Sequence, residues 1–258
     1  MKWLRPLLSF IYSIYAMVTF VVIMLLVFPF AVIGSFFGRI RGGNFAIRLC
    51  MRWADIWFPL IFIFHQKIFE APHDKSKPYI FVSNHISYLD AAILCKAYHQ
   101  PFRPLGKAEM TKVPVFGFIY RYAIVTVDRS TPQKRALSVR VLKSVLSKGI
   151  SVMVFPEGTF NMTTNPLKEF YDGAFRIAIE TGTPVKPVLF LDGYRRMNYQ
   201  SLFSMTPGRS RIVYLDEIPV AGLTLADTKA LKEKVYAMME EKLIGYGAAW
   251  RKNKALNT

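Results

Sequence analysis

The chain reads as an α/β protein: a mixed sheet covered by helices, preceded by an N-terminal helical motif that binds a membrane. Three observations carry that reading. From Leu7 to Phe37 no charged residue appears, a segment long enough to cross a bilayer. Ala71–Pro78 (APHDKSKP) is a polar, proline-bounded linker where the character of the chain changes. After it, short β-branched or aromatic runs alternate with helically periodic ones, which implies a largely parallel or mixed sheet with helices packed on it. The division expected is residues 1–70 as membrane-anchoring helices and residues 71–258 as the α/β domain.

In chain order, the first apolar segment is too long for a signal peptide and no small-residue cleavage site follows it. Pro29 and Gly34 mark where its end can kink. Ile56–Phe64 (IWFPLIFIF) is apolar but too short to span. Lys2 and Arg5 lie in front, and Arg39, Arg41, Arg48 and Arg52 between the two segments, so charge gives no clean orientation. Two helices dipping into one leaflet and a single span both fit. Strands are expected at Tyr79–Ser83, Ala123–Val127, Ile150–Phe155, Val185–Leu191 and Arg211–Leu215. Helices are expected at Thr131–Lys148, Gly173–Thr181 and Leu225–Leu243, the last charged and closing the chain.

Composition narrows the partners. The chain is 52% hydrophobic and carries 34 Lys+Arg against 17 Asp+Glu, a formal charge of +17. Such charge seeks anions, either nucleic acid or lipid headgroups. The basic residues are dispersed among apolar segments with no nucleic-acid motif, so membrane lipids are the expected partner and nucleic acid is not. Cys50 and Cys95 form neither a metal spacing nor a disulfide framework, which fits a reducing cytosol; no metal is expected.

Ligand sites in such sheets gather beyond the carboxyl ends of the strands. Three polar clusters fall there: Asn84-His85 with Asp90, Asp128-Arg129 after AIVTV, and Phe155-Pro156-Glu157-Gly158-Thr159 after SVMV. A neutral imidazole is a natural general base, and a carboxylate on its other nitrogen fixes the tautomer and stabilises the cation that forms. That is two-thirds of a serine-protease triad, without the nucleophile. No serine stands in a nucleophile-elbow sequence, so the nucleophile would be a substrate hydroxyl. The bland alternative is that Ser87-Tyr88-Leu89-Asp90 is only a capping box at a helix start. Arg129 offers a planar cationic fork for phosphate or carboxylate, or else a surface ion pair. Glu157 could hold a hydroxyl and Gly158 lets backbone approach a ligand, or the two simply make a turn.

Together the clusters resemble the glycerolipid acyltransferase family typified by 1-acyl-sn-glycerol-3-phosphate acyltransferase. NHISYLD matches its N-H-x(4)-D block, IVTVDR the block ending in arginine, FPEGT the third block, and TPVKPVLF resembles the fourth. LGKAEMTKVPVFG (Leu105–Gly117) is similar to the family's segment between the first two blocks. All lie in the family's order between Tyr79 and Phe190.

The resemblance implies an acyltransferase fold and transfer of a fatty acyl group from acyl-CoA or acyl-carrier protein to the hydroxyl of a lysolipid, with no cofactor. It implies His85 and Asp90 as the catalytic pair. It also implies acceptor contacts from Arg129, Glu157 and Gly158, with Lys107, Asn84 and Thr159 as further candidates. The expected location is a membrane, the bacterial inner membrane, with the catalytic domain on the cytoplasmic side where acyl thioesters are available. One position departs from the family: Phe160 follows FPEGT where arginine is common. That removes a cationic contact and shifts the expected acceptor toward lysolipids carrying less negative charge than lysophosphatidic acid. The same residues leave room for two rivals, a hydrolase using the pair to activate water and a non-catalytic lipid-binding protein.

Overall fold

The computed structural model describes residues 4–127 and 131–248. Two long helices open the chain, α1 (Leu4–Ser35) and α2 (Gly38–Leu60), followed by β1 (Ile63–Phe69) and β2 (Ile80–Val82). Then come α3 (Asp90–Ala97), β3 (Phe102–Lys107), α4 (Phe116–Ala123), β4 (Val125–Val127), α5 (Pro132–Leu146) and β5 (Ser151–Val154). The chain closes with α6 (Gly173–Thr181), β6 (Val185–Phe190), the short α7 (Gly193–Arg196), β7 (Gly208–Tyr214) and α8 (Thr228–Gly245).

The seven strands form one sheet in the order β1-β7-β6-β2-β5-β3-β4. Neighbours run parallel except β6 and β7, which are antiparallel. Every residue of β2, β5 and β6 is buried, as continuous apolar runs covered on both faces should be. Alternation sorts them: Ile80 and Val82 join Val152, Val154 and Leu189 on one face, against α5, α6 and α8. Phe81, Met153, Val188 and Phe190 point to the other, against α2 and α3. The sheet is therefore the middle of three layers.

The expected strands at Tyr79–Ser83, Ile150–Phe155 and Val185–Leu191 are present with trimmed ends, the one expected at Arg211–Leu215 begins earlier, at Gly208, and ends at Tyr214, and Gly173–Thr181 is a helix at those residues. In the run Ala123–Val127, Ala123 ends α4 and only Val125–Val127 is strand. Ile56–Phe64 is not one apolar insertion segment. Its first half ends α2, and a sharp turn at Phe62 (φ 52°) delivers Ile63 into β1. Trp53, Trp57 and Phe58 of α2 are buried in the core rather than turned outward. β1 pairs with β7 along its whole length, so the sheet begins before the boundary expected at residue 70. Pro6–Ser35 is the one segment among the described residues that is long and apolar enough to cross a membrane.

Candidate active site

β2 lies in the middle of the sheet with β6 on one side and β5 on the other, so the loops leaving β2 and β5 emerge side by side. Asn84 fixes the first of them. Its amide donates to the Phe190 carbonyl at 3.0 Å and accepts from the Phe190 N–H at 2.9 Å, and the side chain is buried. Asn84 therefore pins the loop to the end of β6, with both polar atoms of its amide bonded to the Phe190 backbone.

His85 follows, with Asp90 five residues on at the start of α3. Three donors converge on Asp90 Oδ2: His85 Nδ1 at 3.0 Å, the Ile86 N–H at 2.7 Å and the Ser87 N–H at 2.8 Å. The Leu89 N–H in turn donates to Ser87 Oγ at 3.0 Å. Only the carboxylate half of the expected capping box is present, since the Ser87 hydroxyl takes the Leu89 N–H and Leu89 is the N-cap; Asp90 closes the turn before α3 and bonds the imidazole with one oxygen. A carboxylate accepts, so Nδ1 carries the proton and Nε2 keeps its lone pair. Asp90 is fully buried and its Oδ1 has no partner. A Cβ added at Gly193 would stand 2.6 Å from that oxygen. Glycine at the start of α7 is what lets the carboxylate fit.

The histidine ring is held by aromatic faces. Phe155 stacks on it with centroids 4.0 Å apart and planes 9° from parallel, and Phe160 leans on it at 4.3 Å. Phe160 also meets Tyr88 edge-on at 4.8 Å. The residue that departs from the family pattern is a half-buried wall beside His85, not a distant core residue.

Glu157 supports the backbone. Its carboxylate accepts from the His85 N–H at 2.8 Å and from the Lys168 N–H at 2.9 Å, and it is fully buried, so in this structure its bonds go to backbone. The Asn161 N–H donates to the His85 carbonyl at 2.8 Å, so the β2 and β5 loops are sewn together on both sides of the histidine. Burial pushes the Glu157 carboxyl up from 4.5 to about 8, against the pull of its two amide donors. The folded protein then holds a proton that the unfolded chain releases above about 4.5, so this group's contribution to stability falls as pH rises toward about 8. Glu157→Gln cannot titrate. Its melting temperature should decline less than that of the wild type across this window; parallel curves would mean that Glu157 does not change charge there.

Gly158 takes φ +70°, and a Cβ there would lie 2.7 Å from the Tyr171 ring, so both conformation and space demand glycine. Thr159 is exposed and its hydroxyl accepts from Lys168 Nζ at 2.8 Å. Lys107 ends β3, exposed, in register with Val127 of β4. It sits at the carboxyl edge of the sheet, as do the loops of His85 and Glu157. Asp128 and Arg129 lie outside the described residues. Phe155, Gly193 and Asn161 were not singled out as supports of the histidine; the FPEGT block contained the first, and only the fold brings the others to it.

The family model described as Acyltransferase matches residues 65–191. The human 1-acyl-sn-glycerol-3-phosphate acyltransferase alpha is 27% identical over 199 residues, covering 76% of this chain and 70% of that protein. The mouse protein of the same name is 30% identical over 168 residues, covering 62% and 56%. The crystal structure of the 1-acyl-sn-glycerophosphate (LPA) acyltransferase from Thermotoga maritima has the same fold, with a TM-score of 0.72 at 21% identity over 97% of this chain and 99% of that one. The Acyltransferase match over residues 65–191 and these relatives make the chain an O-acyltransferase of the 1-acylglycerol-3-phosphate acyltransferase type.

Proposed function

We propose that the protein transfers a fatty acyl group from an acyl thioester, acyl-CoA or acyl-carrier protein, to the free hydroxyl of a membrane lysolipid. The observation that carries this reading is the His85–Asp90 pair at the carboxyl edge of the sheet, with Nε2 left as a base. His85 Nε2 takes the hydroxyl proton as the oxygen attacks the thioester carbonyl. The tetrahedral oxyanion collapses, the C–S bond breaks, and the imidazolium returns its proton to the leaving thiolate. Asp90 stabilises the transient cation. No acyl-enzyme, metal or cofactor enters these steps.

The lysolipid is reached from a membrane on which the N-terminal helices lie. α1 touches the α/β body near both ends, Phe10 against Phe203 and Phe28 against Phe118. The helical rise from Phe10 to Phe28 is about 27 Å, close to the thickness of a hydrocarbon core of about 30 Å. A helix crossing the bilayer would draw the body into it. The geometry favours the one-leaflet alternative, with the exposed face of α1 in the lipid; the supply of acyl thioesters favours a site facing the cytoplasm.

Phe160 bears on the acceptor. Its ring occupies the wall beside His85 at the position where the family resemblance leads one to expect arginine, which favours a lysolipid with less negative charge than lysophosphatidic acid. The test is a panel of lysolipids offered with labelled acyl-CoA and acyl-carrier protein. Phe160→Arg should raise the activity ratio of lysophosphatidic acid to zwitterionic lysolipids by about tenfold, the value of one added charge-assisted contact. An unchanged ratio, with lysophosphatidic acid already preferred, would reduce Phe160 to packing. A wild type that acylates none of the panel would overturn the acceptor class.

A further inference from the structure

The segment between α7 and β7 exposes two large apolar side chains, Leu202 at 43% and Phe203 at 42%. Exposure here does not come from a loose loop. The Asn198 side chain accepts from the Gln200 and Ser201 N–H groups at 3.0 and 3.2 Å. Ser204 Oγ accepts from the Asn198 N–H at 3.0 Å and donates to the Ser201 carbonyl at 2.6 Å. A loop held this firmly presents Leu202 and Phe203 by construction.

It presents them beside α1. Phe203 packs on the exposed Phe10 with centroids 5.0 Å apart. Ser9 Oγ donates to the Met205 carbonyl at 2.7 Å, and the Met205 N–H donates to Ser13 Oγ at 3.0 Å. The loop thus continues the apolar face of α1, where Leu7, Phe10, Ile11 and Ile14 are all exposed. Arg195 and Arg209, both exposed, flank it in sequence, a pattern that suits anionic headgroups around an inserted apolar tip.

The other end of the same segment reaches the histidine. Ser87, whose N–H bonds Asp90, donates its hydroxyl to the Met197 carbonyl. Tyr199 stands over Phe160, their rings 6.5 Å apart and nearly parallel, and Phe160 leans on His85.

We infer that the loop from Asn198 to Met205 is a second membrane contact, inserting Leu202 and Phe203 into the leaflet that holds α1, and that lysolipid passes along it to His85. This rests on the membrane-acyltransferase reading above. Its partner is an anionic bilayer surface, rather than a second copy of the chain.

The test is the full-length double variant Leu202→Ser/Phe203→Ser, neither residue touching the His85–Asp90 pair. Binding to vesicles of phosphatidylcholine and phosphatidylglycerol should weaken by about tenfold or more, since each side chain loses its apolar burial. With lysophosphatidic acid carried in those vesicles, KM should rise by a similar factor at unchanged kcat. With a short-chain, freely soluble lysophosphatidic acid, kcat/KM should stay within about twofold of the wild type. Unchanged vesicle binding and unchanged KM overturn the proposal. So does an equal loss on both substrates, which would place the loop in the fold or the chemistry, or a change of oligomeric state in detergent, which would make the patch a self-interface. If the wild type acylates no lysolipid of the panel above, the acyl-transfer reading fails, whereas the vesicle-binding comparison still decides the loop.

Discussion

His85→Ala should lower acyl transfer by about 10²–10⁴-fold, the usual worth of general-base assistance, while the protein still folds and binds vesicles. The size of the effect follows from the chemistry proposed. The nucleophile belongs to the substrate, so its hydroxyl attacks unassisted once Nε2 is gone. The fold survives because the anchors of this loop are elsewhere: Asn84 on Phe190, Glu157 on the His85 N–H, and the Asn161 N–H on the His85 carbonyl. None of the three uses the His85 side chain, so alanine at position 85 keeps them all. Removing the ring leaves a cavity against Phe155 and Phe160, so a modest drop in melting temperature accompanies the loss of turnover. Near-normal turnover in this variant would remove the proposed mechanism.

Asp90→Asn separates the two duties of one carboxylate. Two backbone N–H groups point at Oδ2, so the amide oxygen must take that position. The NH2 then lies where Oδ1 was, beside Gly193. The turn before α3 keeps its closure and His85 Nδ1 keeps an acceptor, but a neutral one. Turnover should fall by about 10²-fold, the factor that ~3 kcal/mol of lost stabilisation of the charged ring supplies. Asp90→Ala should lose turnover and stability together, because it removes the helix closure as well. If Asp90→Asn turned over at the wild-type rate while Asp90→Ala merely unfolded more easily, Asp90 would be a cap and nothing more.

Much of this site was legible in the sequence because its residues are local. His85 and Asp90 sit five positions apart across one loop, so their meeting needs only the strand-to-helix turn that Ser87 already signals. The central strands were legible for a similar reason: Ile80–Val82 and Ser151–Val154 are buried on both faces and read as unbroken apolar runs. What escaped depends on distant neighbours. Glu157 reads as an acceptor contact because a carboxylate can hold a hydroxyl and the FPEGT block resembles the family's; only the fold shows it buried and bonded to two amide donors, from His85 and Lys168. Asn84 has the same history, since only β6 reveals where its amide goes. β1 was hidden by composition. Its residues continue the apolar run that ends α2, and the break at Phe62 uses a positive φ without glycine to announce it. β3 contains Arg103, Pro104 and Gly106, a poor strand signature, and holds its place through pairing with β5 and β4.

The central claim is direct transfer from thioester to a lipid hydroxyl, with His85 as base and no acyl-enzyme. It is tested most directly by following labelled acyl-CoA with the purified, membrane-reconstituted protein, with and without lysolipid. The expected result is release of one thiol per molecule of acylated lipid formed, absent without acceptor, with no label retained on the denatured protein. Thioester consumption at the same rate without lysolipid, or label bound covalently to the chain, would contradict it.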